Sequence, residues 1–197
     1  MHREAQSKAV QFLLRESGVL FGRESNNTMG HDPSIKGWPW IAGTHSWIEP
    51  TALSMIAIAS CGFGDHPRVR EASRLLLDRQ LPRGGWNYGN TTVFGQELHP
   101  DPESTGAALH ALKGRVSQSQ IQRSLDYLLG RVKELRTPFA LGWSLLGLES
   151  WGLLPHEAHK LVERCLRRQE RFGEFETTSL CLLLCSAMAP TGLYTNA

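Results

Sequence analysis

Cysteine is scarce in this chain. The four present, Cys61, Cys165, Cys181 and Cys185, show no framework spacing, which excludes a small fold stapled by disulfides. An excess of one charge is equally missing. The formal net charge is +2, so the basic face of a nucleic-acid binder is not expected. The short basic stretch from Arg164 to Arg171 has helical spacing and reads as a solvated helix face. No apolar run reaches the roughly 20 residues that span a bilayer. The segment Met1 to Arg15 is polar and amphipathic, without the apolar stretch of a secretory signal. A reducing cytoplasm is therefore the expected location. Gly84-Gly85 and Gly89 are not followed by Lys-Ser/Thr, as a phosphate loop requires. There is no nucleophile elbow and no Cys/His catalytic pairing, and neither a metal nor a cofactor is expected.

What is present suits a sizeable core. Hydrophobic residues make up 41% and charged residues 20% of 197, which predicts one domain over residues 1–197. The chain repeats itself. Thr51-Ala-Leu-Ser-Met-Ile-Ala-Ile, Thr105-Gly-Ala-Ala-Leu-His-Ala-Leu, Phe139-Ala-Leu-Gly-Trp-Ser-Leu-Leu and Thr178-Ser-Leu-Cys-Leu-Leu-Leu-Cys are apolar nearly all the way round. Helices of that kind are buried. Each follows a segment whose apolar residues alternate with Arg, Asp and Gln at helical spacing: 9–16, 72–80, 124–131 and 161–169. Those are half-buried outer helices. The pattern predicts an all-α protein of about four outer/inner helix pairs, with the inner helices facing a central space. One pair cannot bury its own faces, so neighbours must stack. Four pairs leave three alternatives: an open arc, an arc closed by a second copy or a partner domain, or a piece of a longer array.

The four connections into the inner helices share one rim. Two of them, 16–51 and 80–105, are long and hold Trp38, Trp40, Trp47, Trp86, Tyr88, His31, His45 and His99. Long connections without structure of their own are often functional, and an aromatic rim is a reasonable mouth for a ligand. The alternative is that Trp and Gly pin the loops down. Candidate rim or substrate-binding residues are His45, Trp47, Glu49, Trp86, Tyr88 and Glu176, with Trp143 inside the third inner helix.

Gln80-Leu-Pro-Arg-Gly-Gly-Trp86 resembles the QW motif of terpenoid cyclases, and the paired-helix layout is similar to that of the squalene-cyclase and protein-prenyltransferase superfamily of α/α-toroids. The resemblance runs from about Ala9 to Met188 and speaks to fold more than to activity. It implies a cyclase- or isomerase-like protein with a pocket for an apolar, isoprenoid-like small molecule. Cyclases of this type carry Asp-x-Asp-Asp-Thr at the start of an inner helix, and the middle Asp protonates an alkene or epoxide. The matching stretch here is Asp101-Pro102-Glu103-Ser104-Thr105, in which Ser104 departs from the last Asp. The resemblance makes Glu103 the acid, with Asp101 and His99 as candidate members of the group. The zinc branch of the superfamily uses an Asp-x-Cys pair, which does not occur here.

Clustered carboxylates hold a proton among them because like charges do not all ionise cheaply. The repeat offers a plainer role. The place of Glu103 recurs as Glu49 in Trp-Ile-Glu-Pro-Thr51, as Glu176 in Glu-Phe-Glu-Thr-Thr178, and as Thr137 in the third unit. Acidic and hydroxyl residues before a helix cap its free N–H groups. Two other functions stay open: a non-catalytic binding or assembly module, and a carbohydrate hydrolase or lyase with Glu49 and Glu103 as its carboxylate pair.

Overall fold

The computed structural model describes residues 2–22 and 30–188. It is all-α apart from one short hairpin. In chain order the helices are α1 (His2–Arg15), α2 (Ile48–Ile58), α3 (Pro67–Asp78), α4 (Pro102–Ala111), α5 (Gln118–Arg131), α6 (Pro138–Glu149), α7 (Ala158–Leu166), the single turn α8 (Gln169–Phe172) and α9 (Thr177–Met188).

Local chemistry sets the starts of these helices. Pro102 and Pro138 occupy the first turn of α4 and α6, where a missing N–H costs nothing. Asp101 Oδ1 accepts from the Ser104 N–H at 2.6 Å. Ser117 and Gln120 close a capping box on α5. The His66 ring accepts from the Arg68 N–H at 3.1 Å on α3. At its far end α2 runs into a wide turn over Ala59–Phe63, where Gly62 has φ 84°.

The two predicted kinds of helix behave differently. In α5, Ile121, Ser124, Leu125 and Leu128 are buried while Gln122, Arg123 and Asp126 face water. Helix α3 buries Val69, Ala72, Ser73, Leu75 and Leu76 in the same way. By contrast, every residue from Ser104 to Leu112 and from Ala140 to Leu148 is buried. The apolar helices pack on one another in chain order, α2 on α4, α4 on α6 and α6 on α9. Helix α5 lies against α4 and α6, and α7 against α6 and α9. One cluster of buried residues runs through all these elements, from Ile35 to Leu183.

Glycine permits the closest of these contacts. A Cβ on Gly106 would stand 2.3 Å from the Trp143 carbonyl oxygen, and one on Gly142 would stand 2.6 Å from Leu182 Cγ. The backbones of α4 and α6 therefore touch. The side of α4 and α6 expected to face a central space is buried from solvent, with the closest contacts at Gly106, Gly142 and Gly147.

The long connection 79–101 carries the hairpin, β1 (Thr92–Val93) with β2 (Gln96–Glu97), paired antiparallel. Its turn residues Phe94 and Gly95 have φ 50° and 75°, the conformation of a tight hairpin turn.

Candidate functional site: a carboxylate cluster on the loop rim

Two repeated pins hold the rim. The Trp86 N–H donates to Thr105 Oγ1 at 3.0 Å, the Thr105 hydroxyl donates back to the Trp86 carbonyl at 3.2 Å, and the Trp86 indole N–H reaches the Leu76 carbonyl at 2.6 Å. The first unit repeats the arrangement. The Trp38 N–H donates to Thr51 Oγ1 at 3.0 Å, and the Trp38 indole N–H meets the Leu13 carbonyl at 2.8 Å. In each unit a Gly-Trp pair thus ties the preceding outer helix to the first turns of the next inner helix.

Gln80 joins the second pin sideways. Its amide donates to Ser124 Oγ at 2.6 Å, and the Gly85 N–H meets the same oxygen at 2.7 Å. Gly85 has φ +80°, and a Cβ there would lie 2.6 Å from Pro100 Cβ, so only glycine suits the turn. In the first unit Arg68, from the following outer helix α3, makes the sideways tie. Its guanidinium lies 4.3 Å from the Trp38 ring centroid and donates to the Glu16 and Gly37 carbonyls. Trp86 is fully buried. The predicted rim residue is therefore a pin, because its indole is consumed by the Leu76 carbonyl and by packing.

The pins bring two helix starts together. Trp86 and Asp101 form a backbone bridge, and the Ile48 N–H donates to the Tyr88 carbonyl at 2.9 Å. Three carboxylates gather there. Asp101 caps α4 through Oδ1, while its Oδ2 is buried without a hydrogen-bond partner among the described residues. Burial pushes the Asp101 carboxyl up to about 6. The two hydrogen bonds from Ser104 oppose that shift, and the neighbouring Glu103 carboxyl adds to it. Glu49 is raised as well, first by burial and then by the charges of Asp101 and Glu103. The Tyr127 phenol donates to the Pro100 carbonyl at 3.0 Å. It is pushed up to about 12 by burial and then by Asp101, against a lowering by Arg131.

The other predicted residues fall in different places. Trp47 is half-buried, tilted against the exposed His45 ring at 5.0 Å, with Phe21 edge-on to His45 at 6.1 Å. Tyr88 and His99 are exposed. Glu176 is exposed and accepts from the Ser179 hydroxyl at 3.3 Å. Its register also differs from the expected one. The Leu180 N–H donates to the Glu176 carbonyl as the Thr105 N–H does to Asp101 and the Leu141 N–H to Thr137. Glu176 and Thr137 therefore match Asp101, while only Glu49 and Glu103 share the second helical position. Trp143 is a core residue, buried against the His110 ring at 6.4 Å, with its indole N–H unpartnered among the described residues.

Arg79 and Tyr127 are the neighbours that sequence reasoning missed. Arg79 is buried at the end of α3, its Nη1 donating to the Ser46 carbonyl at 2.5 Å. Burial lowers it to about 10. A Cβ on Gly89 would touch both Arg79 and Trp47, so a cation lies just behind that ring. The only sequence signal was its place next to Gln80.

A groove of about 670 Å³ lies elsewhere, between the end of α5 and α7, lined by Arg131, Lys133, Glu134, Arg136 and Arg164 among others. Two of its cations are paired, Arg131 with Glu134 at 2.9 Å and Lys133 with Glu157 at 2.7 Å. This agrees with a solvated basic face. Among the described residues no cluster of His, Cys, Asp and Glu is arranged to hold a metal ion, and no helix is long and apolar enough to cross a membrane. Compared with protein-family models, with curated proteins and with solved structures, the chain matches none.

Proposed function

We propose that the rim cluster is a proton-donating site in a squalene/terpenoid-cyclase-like helical-repeat protein, an α/α-toroid of four helix pairs, acting on an apolar isoprenoid-like molecule. The observation that carries this reading is the buried, unpartnered Oδ2 of Asp101 beside Glu103 and Glu49. Two carboxyl groups that share a proton leave one of them protonated near neutral pH. That assigns the acid to Asp101, whose burial and whose neighbour Glu103 both oppose loss of its proton. A carboxyl near 6 is a weak acid for a bare alkene. It is well matched to an oxygen that accepts a proton as a carbon–oxygen bond opens. The substrate class is therefore an oxygenated isoprenoid, such as an epoxide, and the exposed His45 and Tyr88 with the half-buried Trp47 supply its approach. In this reading the protein has no resident cofactor.

A second reading rests on one observation. Glu49 comes from α2 and Asp101 from the start of α4, and both are raised. A carboxylate pair from two helices beside open aromatics also suits glycoside cleavage. Incubation with epoxidised linear isoprenoids, and separately with oligosaccharides, followed by mass spectrometry, separates the two. Asp101→Asn retains a capping oxygen and is expected to lower turnover of the isoprenoid about 10²- to 10⁴-fold. Turnover of sugars alone supports the second reading. Absence of both activities between pH 4 and 8 removes the catalytic proposal.

A further inference from the structure

The four apolar helices share one register. The residue four places on donates its N–H to the carbonyl of Trp47, Asp101, Thr137 or Glu176. Counting from those residues makes burial comparable unit by unit. Six places on stand Leu53, Ala107, Trp143 and Leu182. The last three are buried and Leu53 is exposed. Ten places on stand Ala57, Ala111, Gly147 and Ser186, and only Ala57 is exposed. These two places form the side that meets the preceding apolar helix. The opposite side shows the reverse. Five places on stand Ala52, Gly106, Gly142 and Cys181, and eight places on stand Met55, Leu109, Leu145 and Leu184. In both rows the first three are buried and the last is exposed, Leu184 to 58% against 0% for its three counterparts.

Among the described residues, each end of the array thus leaves open the register that every interior junction fills. The open side of α9 is the kind of surface that receives a following helix, and the open side of α2 is the kind that follows. The two are complementary in the way α2 and α4, α4 and α6, and α6 and α9 already are. Neither carries a charged residue at these places. The small side chain at Cys181 is compatible with such a junction, since Ala52 fills the same place between α2 and α4 without exposure.

We propose that a second copy of this chain docks head to tail, the Leu53/Ala57 side of its α2 seated on the Cys181/Leu184 side of α9. A heterologous junction of this kind repeats until the rotation closes a ring. The inference does not rest on the rim chemistry, because its test reads mass and not turnover.

The test is sedimentation of the full chain under reducing conditions over a range of concentrations. Reversible association is expected. Leu53→Glu and Leu184→Glu are each expected to weaken it at least tenfold. Both residues are exposed in the single chain, so the thermal midpoints should stay unchanged, and circular dichroism checks this. The decisive arm mixes the two variants. Each keeps one intact end, so unlike chains pair through the α9 of Leu53→Glu and the α2 of Leu184→Glu. A face-to-face dimer gives no such rescue and overturns the proposal. A monomer at every concentration also overturns it, whether the open sides are covered by the chain's own remaining residues or stay bare. So does association that survives both substitutions.

Discussion

The first two units and the last two units use the same helix pair for different ends. In the first two, long connections of more than twenty residues enter the inner helices, and each is fixed by a Trp, a Thr and an outer-helix carbonyl. The third and fourth units have short connections, and their inner helices carry Leu141 and Leu180 where the first two carry Thr51 and Thr105. A hydroxyl at that place is needed only where a loop must be held. The second half is devoted to packing, and the polar cluster of Glu49, Asp101 and Glu103 sits where the pinned loops meet. Repetition supplied the scaffold, and loop length set which units carry the polar cluster.

The largest effect expected from breaking this contrast lies at the packed junction. Gly106→Leu places atoms into the Trp143 backbone, which cannot yield as a side chain can. It should cost about 3 kcal/mol or more, read from urea unfolding. The same change at Gly43, where nothing stands within 4 Å of a new Cβ, meets only the strain of φ +82°. Equal losses at the two positions would show that contact is not the cause.

A middle-sized effect is expected at the pins. Thr105→Val keeps the shape and strands the Trp86 N–H, which is buried. That should cost about 1–3 kcal/mol. Thr51→Val should cost a similar amount by freeing the Trp38 N–H. Leu141 and Leu180 serve as controls, since no loop bond depends on them and a polar Leu141→Thr change should give no compensating gain. A silent Thr105→Val would mean that the repeated hydrogen bonds do not hold the rim.

The smallest effect sharpens the rim itself. Asp101 has a folded carboxyl near 6 against an ordinary 3.8, so the folded state holds its proton more tightly than the unfolded chain. The associated stability is complete below about pH 4 and is lost as pH rises through 6. The difference in thermal midpoint between the wild type and Asp101→Asn should therefore move against the wild type between pH 4 and 7. Part of that change comes from Glu49, which is relieved of the Asp101 charge in the variant. A difference independent of pH would show that Asp101 ionises normally.

Much of the scaffold was legible beforehand. The runs around Ala107 and Leu145 are apolar on every side and are buried throughout, whereas the like run around Leu182 leaves Cys181 and Leu184 exposed. The mixed spacing from Ile121 to Leu128 could only present one face inward. The candidate site was legible in part. Glu49 and Glu103 were identified by a repeated place at a helix start and Asp101 by the resemblance of its stretch to an acidic motif, and they do interact. Trp86 was expected at a ligand mouth and is a pin, because a fully buried indole needs a carbonyl and the chain provides that of Leu76. Glu176 was set two residues away from its real match because Thr178 mimics Thr105, while the helix starts at Thr177.

The order of residues by itself determined which segments are helices, which of those are buried, and that acidic side chains stand at their starts. Those follow from periodicity and capping, which act over a few neighbours. Only the tertiary structure decided that burial raises the Asp101 and Glu49 carboxyls, that Tyr127 stands beside the cluster, and that Leu53 and Leu184 are exposed. Burial and charge act between residues brought together from distant parts of the chain, and no local pattern records them.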